Sequence, residues 1–467
     1  LIYDNNNISI DGSTDLAFSD NTNLRFKSVN WEVYSGKGHD HQNIYDLFKK
    51  AQISNAPCLL NFKTTIGFGS PNKSAKASSH GSPLGSDEVN LTRSKLSWSE
   101  KPFQIPKKLL KIWRGSADKN KKLYKKSKST FHSNLSKKDI DKLFNKIELD
   151  LKNFNSDQAT RKSSEAILNF IKGDHPILGG SADLTGSNNT KGKEMSVMNS
   201  KNMSGQYIHY GVREHGMAAI MNGIAATKIY KTYSGTFLSF ADYMKPSLRL
   251  AALMKIDPIQ VFTHDSIGLG EDGPTHQPIE QINMLRLIPN SYVFRPCDLK
   301  ETIVCWKEAL KIDNAPSFIC LSRQNLPQIS NKKLVSKNFK GAYVISGPKK
   351  NNDITIIATG SEVYLALNIA EILKNNGIIA KVISMPSTSI FEKQSRSFKI
   401  TLLDSKLDET FVIEAGSTMY WNKFTNSENI FGLDVFGASA PGSEVFKKFG
   451  LTTKTISTKI LRKIKTK

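Results

Sequence analysis

A strand–helix–strand pattern between residues 353 and 386 constrains the fold more than any other feature of the sequence. Residues 353–359 predict a buried strand, and Ser361 predicts the cap of the helix that follows. Gly377 predicts the end of that helix, and residues 378–384 predict the next strand. Two strands joined through a helix lie parallel in one sheet, and parallel sheets are covered by helices. The sequence therefore predicts an α/β fold with parallel sheets flanked by helices.

The same alternation is predicted over much of the chain. Apolar runs and helical spacing indicate further strands at 57–62, 259–263 and 317–321, and further helices at 43–52, from 159, and at 211–228. The chain has 467 residues, which is enough for roughly three domains.

The net charge of +23 first suggests a polyanionic partner, a membrane surface or anionic small molecules. The excess is confined to two places. Residues 101–150 hold 15 Lys and Arg against 5 Asp and Glu, and residues 441–467 hold 8 against 1. The rest of the chain is close to balanced, so we expect neither a nucleic-acid nor a membrane partner. No apolar run reaches the roughly 18 residues of a membrane span.

The sequence motifs of several common enzyme classes do not occur in this sequence. A P-loop, a nucleophile elbow and a complete HExxH motif are all missing from the 467 residues. The four cysteines lie far apart without a CxxC pair, which predicts reduced thiols rather than disulfides or a zinc site.

The densest polar cluster runs from His264 to Pro278 and follows the predicted strand 259–263. Two imidazoles and three carboxylates lie between His264 and His276, held by glycines and prolines. This arrangement at the end of a strand suits acid–base chemistry on a polar substrate. The alternative is a solvated glycine-rich turn whose histidines only cap and hydrogen-bond.

Other candidates each have a plainer alternative. Glu214 begins the helix of small residues and either sits in a pocket or pairs with Arg213 on the surface. The loop at 179–187 suits an anion or is an ordinary turn. Arg161 and Arg323 are candidate phosphate ligands or surface residues.

An aromatic series and an asparagine cluster complete the candidates. Phe237, Phe240 and Tyr243 recur at helical spacing, which favours core packing over a platform for a ring. Residues 5–11 offer oxygen ligands after a strand, which suits Mg²⁺ bound together with a diphosphate.

Taken together, these segments resemble transketolases, which are thiamine-diphosphate enzymes. The resemblance covers nearly the whole chain and is weakest in the lysine-rich stretch. It rests on these segments: YDNNNISIDG (3–12), KTTIGFGSPNK (63–73), HGSPLG (80–85), ATRKSSE (159–165), GGSADLTGSN (179–188), YGVREHGMAAIMNGIA (210–225), GTFLSFADY (235–243), THDSIGLGEDGPTHQP (263–278), LSRQNLP (321–327), ATGSEV (358–363) and FGASAPG (436–442).

The resemblance implies a set of cofactor residues. Asn6 and the Ile8 carbonyl match the ligands of the divalent cation (Mg²⁺, Ca²⁺ or another), and Glu214 matches the catalytic carboxylate on the aminopyrimidine ring. The remaining matches are apolar contacts at Ile10 and Ile66, the aromatic pocket of Phe237, Phe240 and Tyr243, and Asp183 near the thiazolium. For Phe237, Phe240 and Tyr243, the resemblance therefore favours a platform for a ring over core packing.

The resemblance also implies a set of substrate residues. Arg161, Ser187, His264 and Arg323 match the group that binds the sugar phosphate. Asp272 matches a residue that contacts a sugar hydroxyl. The catalytic histidines are His276, close to the reacting carbons, and His80, between diphosphate and substrate.

The implied activity is transfer of a two-carbon ketol unit from a ketose phosphate to an aldose phosphate, through a dihydroxyethyl intermediate on thiamine diphosphate. The implied assembly is a homodimer with active sites at the subunit interface. Two alternatives are a dihydroxyacetone synthase, which accepts formaldehyde, and a non-catalytic assembly or binding protein.

The implied domains are a remnant of the diphosphate domain (1–100), a lysine-rich linker (101–155), a pyrimidine domain (156–335) and a C-terminal domain (336–467). The family's GDG metal motif, further histidines and the Glu that pairs with Glu214 would precede Leu1. We therefore expect residues 1–467 alone to be inactive or nearly so. The family occurs in the cytosol and in plastids, so either compartment is expected.

Overall fold

The computed structural model describes residues 1–130, 135–151, 154, 156–171, 175–330, 339–404 and 406–465. The chain divides into two compact units, an N-terminal unit (Leu1–Tyr124) and a C-terminal unit (Lys125–Lys467). Within the described ranges, no helix is long and apolar enough to cross a membrane.

The N-terminal unit is built on a three-stranded parallel sheet, sheet 1, with the order β1-β5-β4. Its strands are β1 (Ile2–Asn5), β4 (Glu32–Lys37) and β5 (Cys58–Lys63), and a small antiparallel hairpin is formed by β2 (Ile8–Ser9) and β3 (Gly12–Ser13). Its helices are α1 (Thr22–Lys27), α2 (His41–Ile53), α3 (Ser78–Gly81), α4 (Ser86–Lys95) and the start of α5 (Lys107–Thr130). Leu47 of α2 packs on Leu60 and Phe62 of β5 to form the core.

The first half of the C-terminal unit is built on a six-stranded, wholly parallel sheet, sheet 2, with the order β10-β11-β9-β8-β6-β7. Its strands are β6 (Ile177–Ser181), β7 (Tyr207–His209), β8 (Lys231–Phe237), β9 (Ile259–Thr263), β10 (Tyr292–Phe294) and β11 (Ser317–Leu321). Its helices are α6 (Lys137–Asp150), α7 (Thr160–Leu168), α8 (Thr185–Asn188), α9 (Glu214–Ala226), α10 (Ala241–Met254), α11 (Gln281–Arg286) and α12 (Leu299–Lys311).

Both faces of sheet 2 are buried under helices. Trp306 of α12 and Phe144 of α6 belong to the core on one face, and Met217 of α9 and Met244 of α10 belong to the core on the other. Because all six strands run in the same direction, their carboxyl ends meet at one edge.

The last part of the chain, residues 339–465, forms the sheet 3 domain, with the strand order β12-β14-β13-β15-β16. Its strands are β12 (Tyr343–Ser346), β13 (Ile354–Ala358), β14 (Ala380–Ser384), β15 (Thr410–Ile413) and β16 (Ile430–Phe431), and only β12 is antiparallel to its neighbour. Its helices are α13 (Glu362–Asn375), α14 (Thr388–Glu392), α15 (Arg396–Leu402), α16 (Gly442–Lys448) and α17 (Thr453–Lys465).

The predicted fold class, α/β with parallel sheets flanked by helices, is confirmed. Ser361 is the N-cap residue of α13, as predicted, but its hydroxyl makes no capping hydrogen bond and donates to Glu362 Oε1 at 2.6 Å instead. The hydroxyl faces the carboxylate because that carboxylate is part of a buried ionic network at the start of this helix.

The lysine-rich segment is more than a solvated connection. Ile140, Phe144 and Ile147 of α6 are fully buried in the core that α6 shares with α12. Asp141 of α6 accepts hydrogen bonds from α12, including one from Lys311 Nζ at 2.6 Å. The lysines of α6 therefore lie on the outer face of a helix that sheet 2 needs for its core.

Candidate active site

The carboxyl edge of sheet 2 gathers most of the predicted site residues of the C-terminal unit. Asp183 follows β6, Phe237 ends β8, His264 follows β9 and Arg323 follows β11. Asp183 and His264 both adopt φ near +61°, a conformation that costs energy for a residue with a side chain. The chain turns sharply after these strands, and the polar side chains of the turns lie along the carboxyl edge of sheet 2.

Two arginines are brought together at this edge by a reciprocal hydrogen-bonded pair. Ser322 N donates to Thr160 Oγ1 at 2.7 Å, and Thr160 N donates to Ser322 Oγ at 3.0 Å. These bonds fix the start of α7, which carries Arg161, beside the end of β11, which carries Arg323. Burial and then the positive charge of Arg323 lower the pKa of Arg161. The two guanidinium groups are therefore close enough to repel each other.

Arg161 also presents an unused donor. Its Nη1 donates to the carbonyl oxygen of Ser187, whereas its Nε is buried without a hydrogen-bond partner. A buried N–H without an acceptor costs free energy, and a charged one costs more. An anion beside Arg161 would satisfy this group and relieve the repulsion between the arginines.

His264 lies in the same electrostatic environment. Its ring stacks on Phe237 with 3.7 Å between ring centroids, and only 3% of the residue is exposed. Burial and then the charges of Arg161, Arg323 and His276 lower the pKa of His264 to about 3. The imidazole is therefore neutral at pH 7.

A hydrogen-bond chain fixes the tautomer of His264. Thr263 Oγ1 donates its proton to Asn188 Oδ1 at 2.7 Å, and Asn188 Nδ2 donates to Ser181 Oγ at 3.2 Å. Thr263 Oγ1 must therefore accept from His264 Nδ1, which lies 2.8 Å away. The free ring nitrogen is Nε2, which carries no proton in the neutral ring.

The aromatic series extends from the interior to the surface. Phe237 and Phe240 are parallel with 5.8 Å between their centroids, and His276 meets Phe240 edge-on at 5.4 Å. Tyr243 lies 6.1 Å from Phe240 and is 66% exposed. A core would bury the last ring, so this arrangement favours a platform for a flat ring.

Glu214 stands at the first position of α9 and is half-buried. The alternative of a surface pair with Arg213 is not favoured, because Arg213 Nη1 donates to the Tyr210 carbonyl oxygen at 3.0 Å. On the loop after β9, Asp272 is exposed and His276 is half-buried, with His276 Nδ1 2.9 Å from Thr275 Oγ1.

The N-terminal unit gathers the other predicted residues. Asn6 Oδ1 accepts from Ile8 N at 2.9 Å, which holds the amide oxygen at the turn into the β2–β3 hairpin. A Cβ added to Gly81 would lie 3.7 Å from Ile10 Cγ1, so Ile10 packs beside the end of α3, where His80 lies. Ile66 O accepts from Ala75 N at 2.9 Å, which closes the loop before α3.

These residues fit the groups that the resemblance implies. An amide oxygen and a backbone carbonyl are the hard ligands that Mg²⁺ accepts when phosphates and water supply the rest. Ile10 is largely exposed and provides an apolar contact beside His80. In the C-terminal unit, the open aromatic platform suits a pyrimidine ring, and the unpartnered Arg161 Nε suits a phosphate.

Sequence reasoning misjudged Asp265 and missed its partner. The cluster from His264 to His276 predicts three carboxylates for acid–base chemistry, but Asp265 Oδ2 accepts from Arg295 Nε at 2.8 Å and both side chains are almost fully buried. Asp265 therefore has a structural role. Arg295 and the hydrogen-bonding residues Thr263, Asn188 and Ser322 have no local sequence signal, because their partners are distant in the chain.

Comparison with known proteins gives consistent results along the chain. Residues 1–148 match the transketolase thiamine diphosphate binding domain, residues 156–328 the transketolase pyrimidine binding domain, and residues 341–452 the transketolase-like C-terminal domain. A curated transketolase of Buchnera aphidicola (subspecies Baizongia pistaciae) is 42% identical over 487 residues, covering 100% of this chain and 73% of that protein.

Two solved structures are also similar. The transketolase of Campylobacter jejuni superposes with a TM-score of 0.87 at 38% identity, covering 99% of this chain and 72% of that one. The transketolase of Pichia stipitis in complex with sedoheptulose 7-phosphate superposes with a TM-score of 0.88 at 37% identity, covering 99% and 71%. This chain belongs to the transketolase family.

Proposed function

We propose that the protein transfers a two-carbon ketol unit from a ketose phosphate to an aldose phosphate, with thiamine diphosphate as its cofactor. One observation carries the proposal. The carboxyl edge of sheet 2 holds two mutually repelling arginines, an unpartnered Arg161 Nε and a buried neutral His264, next to an open aromatic platform. An anion site beside a ring platform is what a phosphorylated sugar and a pyrimidine cofactor require.

Thiamine diphosphate, when bound, supplies a nucleophilic thiazolium carbon and accepts the electrons of a cleaved carbon–carbon bond. Phe237, Phe240 and Tyr243 would pack on its pyrimidine ring, and the Glu214 carboxylate would accept a hydrogen bond from that ring. In the N-terminal unit, Asn6 Oδ1 and the Ile8 carbonyl would hold the divalent cation. Asn6 Oδ1 accepts from Ile8 N, so this oxygen would orient the cation without rearrangement.

The substrate would be bound through its phosphate by Arg161, Arg323, Ser187 and His264. Asp272 would accept a hydrogen bond from a sugar hydroxyl, and His276 would move a proton at the sugar oxygen next to the reacting carbon. The two aromatic contacts of His276, to Phe237 and Phe240, place this imidazole at the rim of the platform. These contacts support a position for His276 between the proposed ring site and the proposed phosphate site.

Titration calorimetry tests the phosphate site. We expect the protein to bind sedoheptulose 7-phosphate, the ligand of the Pichia stipitis transketolase, far more tightly than unphosphorylated sedoheptulose. Arg161→Ala should weaken only the phosphorylated ligand. Equal affinity for the two sugars would refute the assignment of the phosphate site.

Ketol transfer itself is measured in the protein at its native length, with thiamine diphosphate, Mg²⁺, sedoheptulose 7-phosphate and glyceraldehyde 3-phosphate. We expect transfer in the wild type and its loss in Glu214→Gln, which keeps the shape of the side chain. Transfer at wild-type rate in Glu214→Gln would contradict the role of the carboxylate. The dihydroxyacetone synthase alternative is not favoured, since the named relatives are transketolases.

We also propose that the protein is a homodimer. Helices α9 and α10 pack side by side and expose a set of apolar side chains: Ile220, Tyr243, Leu250, Leu253 and Met254. Several large exposed apolar side chains on two packed helices favour a protein–protein interface. Light scattering should give the mass of a dimer, and Leu253→Glu should give a monomer, whereas the exposed Leu407→Glu should leave the mass unchanged.

A further inference from the structure

Two segments of the sheet 3 domain resemble the family but carry no cofactor or substrate residue. They are residues 358–363 (ATGSEV) and 436–442 (FGASAPG). Both contact the part of sheet 2 that carries His264, Asp272 and His276. We call residues 264–277 the substrate loop.

The first contact is made by Gln277 at the end of the substrate loop. Its Nε2 donates to the carbonyl oxygens of Gly270 and Ala438, each at 2.8 Å, and its Oε1 accepts from Ala438 N at 2.9 Å. The side chain is buried, and both ends of its amide are satisfied. One amide therefore ties two points of the substrate loop to the backbone of residue 438.

The backbone is closely packed around the Gln277 side-chain amide. A Cβ added to Gly437 would lie 1.7 Å from Gln277 Oε1, and a Cβ added to Gly442 would lie 2.7 Å from the carbonyl oxygen of Gly268. Ser439 Oγ donates to the carbonyl oxygen of Glu271 at 2.6 Å. The segment 437–442 thus follows the substrate loop at backbone contact distance.

The second contact is made by Arg295, which is almost fully buried. Its Nε donates to Asp265, next to His264, and its Nη1 donates to the Thr359 carbonyl oxygen at 3.0 Å and to the Glu362 carboxylate. Gly360 N donates in turn to the Arg295 carbonyl oxygen at 3.0 Å. The segment 358–363 therefore encloses the arginine that holds the start of the substrate loop.

We infer that the sheet 3 domain positions the substrate loop for catalysis, with Gln277 and Arg295 as positioning residues that act through Asp272, His276 and His264. This inference rests on the proposed function. The loop turns at Gly270 and Gly273, which adopt positive φ, and a Cβ added to either would lie 3.3 Å from Gly442 N or Ser439 Cβ of the sheet 3 domain. The sheet 3 domain thus acts on the start of the loop through Arg295, contacts its middle at Gly268 and Glu271, and binds its end at Gln277.

Hydrogen exchange tests the positioning without depending on turnover. Gln277→Glu replaces a donor with a carboxylate that faces two carbonyl oxygens, and Gly437→Ala disturbs the same contact from the other side. The matched control is Asn283→Ala, which removes a buried contact of sheet 2 with the sheet 3 domain, from Asn283 Nδ2 to the Ser417 carbonyl oxygen at 2.8 Å, outside the loop. We expect both test variants to speed exchange in peptides covering residues 268–277 by about tenfold or more.

The control should leave exchange in those peptides unchanged, although it removes a contact between the same two domains. Unchanged loop exchange in both test variants would overturn the inference. An equal increase in Asn283→Ala would also overturn it, because the loop would then respond to any loss of domain contact. A melting curve shows that each variant is folded at the temperature of the exchange experiment.

Steady-state kinetics of ketol transfer by the full-length protein give a second test of the positioning role. We expect Gln277→Glu to lower kcat/KM for the ketose phosphate by about tenfold to a hundredfold, the size of effect that small misplacements produce. Thiamine diphosphate affinity should stay within about twofold of wild type, since Gln277 does not contact the aromatic platform, and Asn283→Ala should keep kcat. If the wild type shows no ketol transfer, the proposed function is overturned, but the positioning of the loop is not. An active wild type matched by Gln277→Glu would overturn the positioning role.

Discussion

Acidification should destabilise the C-terminal unit through His264, whose folded environment disfavours the protonated ring. The side chain is buried against Phe237, and Arg161, Arg323 and His276 add positive charge around it. These causes lower its pKa from 6.5 to about 3. In the unfolded chain the ring would protonate near pH 6.5, while in the folded protein it stays neutral. The unfolded state therefore binds more protons between those values, and stability falls as the pH falls through this window.

The size of the effect follows from the two pKa values. Protonation at pH 5 stabilises the unfolded chain by about 2 kcal/mol at this one residue, while the folded protein gains almost nothing. At pH 7 the same contribution is only about 0.2 kcal/mol. Between pH 7 and pH 5, His264 should therefore remove about 2 kcal/mol from the free energy of unfolding, which is a large share of the stability of a typical domain.

Urea unfolding followed by tryptophan fluorescence measures this contribution. Trp306 reports on the relevant region, because it is buried in the core of sheet 2 and its Nε1 donates to Ser164 Oγ at 2.9 Å. The wild type and His264→Gln share every other titrating group. We expect the wild type to lose about 2 kcal/mol more than His264→Gln between pH 7 and pH 5. An equal loss in the two proteins would refute the assignment of a neutral, charge-depressed His264.

Three further predictions concern the same unit. Binding of inorganic phosphate at pH 7.5 should take up a proton, because His264 Nδ1 already donates to Thr263 and Nε2 needs a proton to face the anion. Calorimetry in buffers of different ionisation enthalpy measures this proton uptake. His264→Gln should abolish the uptake. Arg161→Ala should raise KM for the ketose phosphate by roughly tenfold to a hundredfold with a smaller change in kcat, as expected for a lost charged hydrogen bond. Lys231→Ala should lower stability by about 2 kcal/mol in urea unfolding without changing phosphate affinity, since it removes the buried partner of Asp257 and leaves, among the described residues, only Lys228, 3.4 Å away.

Much of the fold could be predicted because strand signals are local. The runs at 259–263 and 317–321 are apolar and β-branched, and they form β9 and β11 with the same bounds. The glycine at 377 ends α13 as expected, with φ of +79°. Helix α6 was harder to evaluate, because its lysines dominate the composition and hide three buried positions at i, i+4 and i+7.

The candidate site was predictable only in part. The residues proposed to face a ligand lie in motifs with unusual composition, so the sequence alone could nominate His264, His276 and Asp183. Arg295 and Gln277 gain their roles from partners at positions 359–362 and 438, which no local pattern relates to them. Composition alone also gives a wrong interpretation of Asp265. It counts Asp265 among the carboxylates for acid–base chemistry, whereas the structure buries this side chain in contact with Arg295.

We expect the net charge of +23 and the proposed anion site at Arg161 to act separately, and phosphate binding can distinguish them. Exposed lysines are screened within about 8 Å at physiological salt, and Lys463 in the basic C-terminal segment already has an acidic partner, Glu428. Arg161 is different, because it is half-buried beside Arg323 and its Nε has no hydrogen-bond partner, so its charge stays poorly compensated until an anion binds. Phosphate should therefore raise the melting temperature of the wild type above that in chloride at equal ionic strength, with a stabilisation of about 2.7 kcal/mol at a hundred times its Kd. Arg323→Gln should lose that rise, whereas Lys463→Gln should keep it. A rise of equal size in chloride would mean that the surface charge, and not the arginine pair, binds the anion.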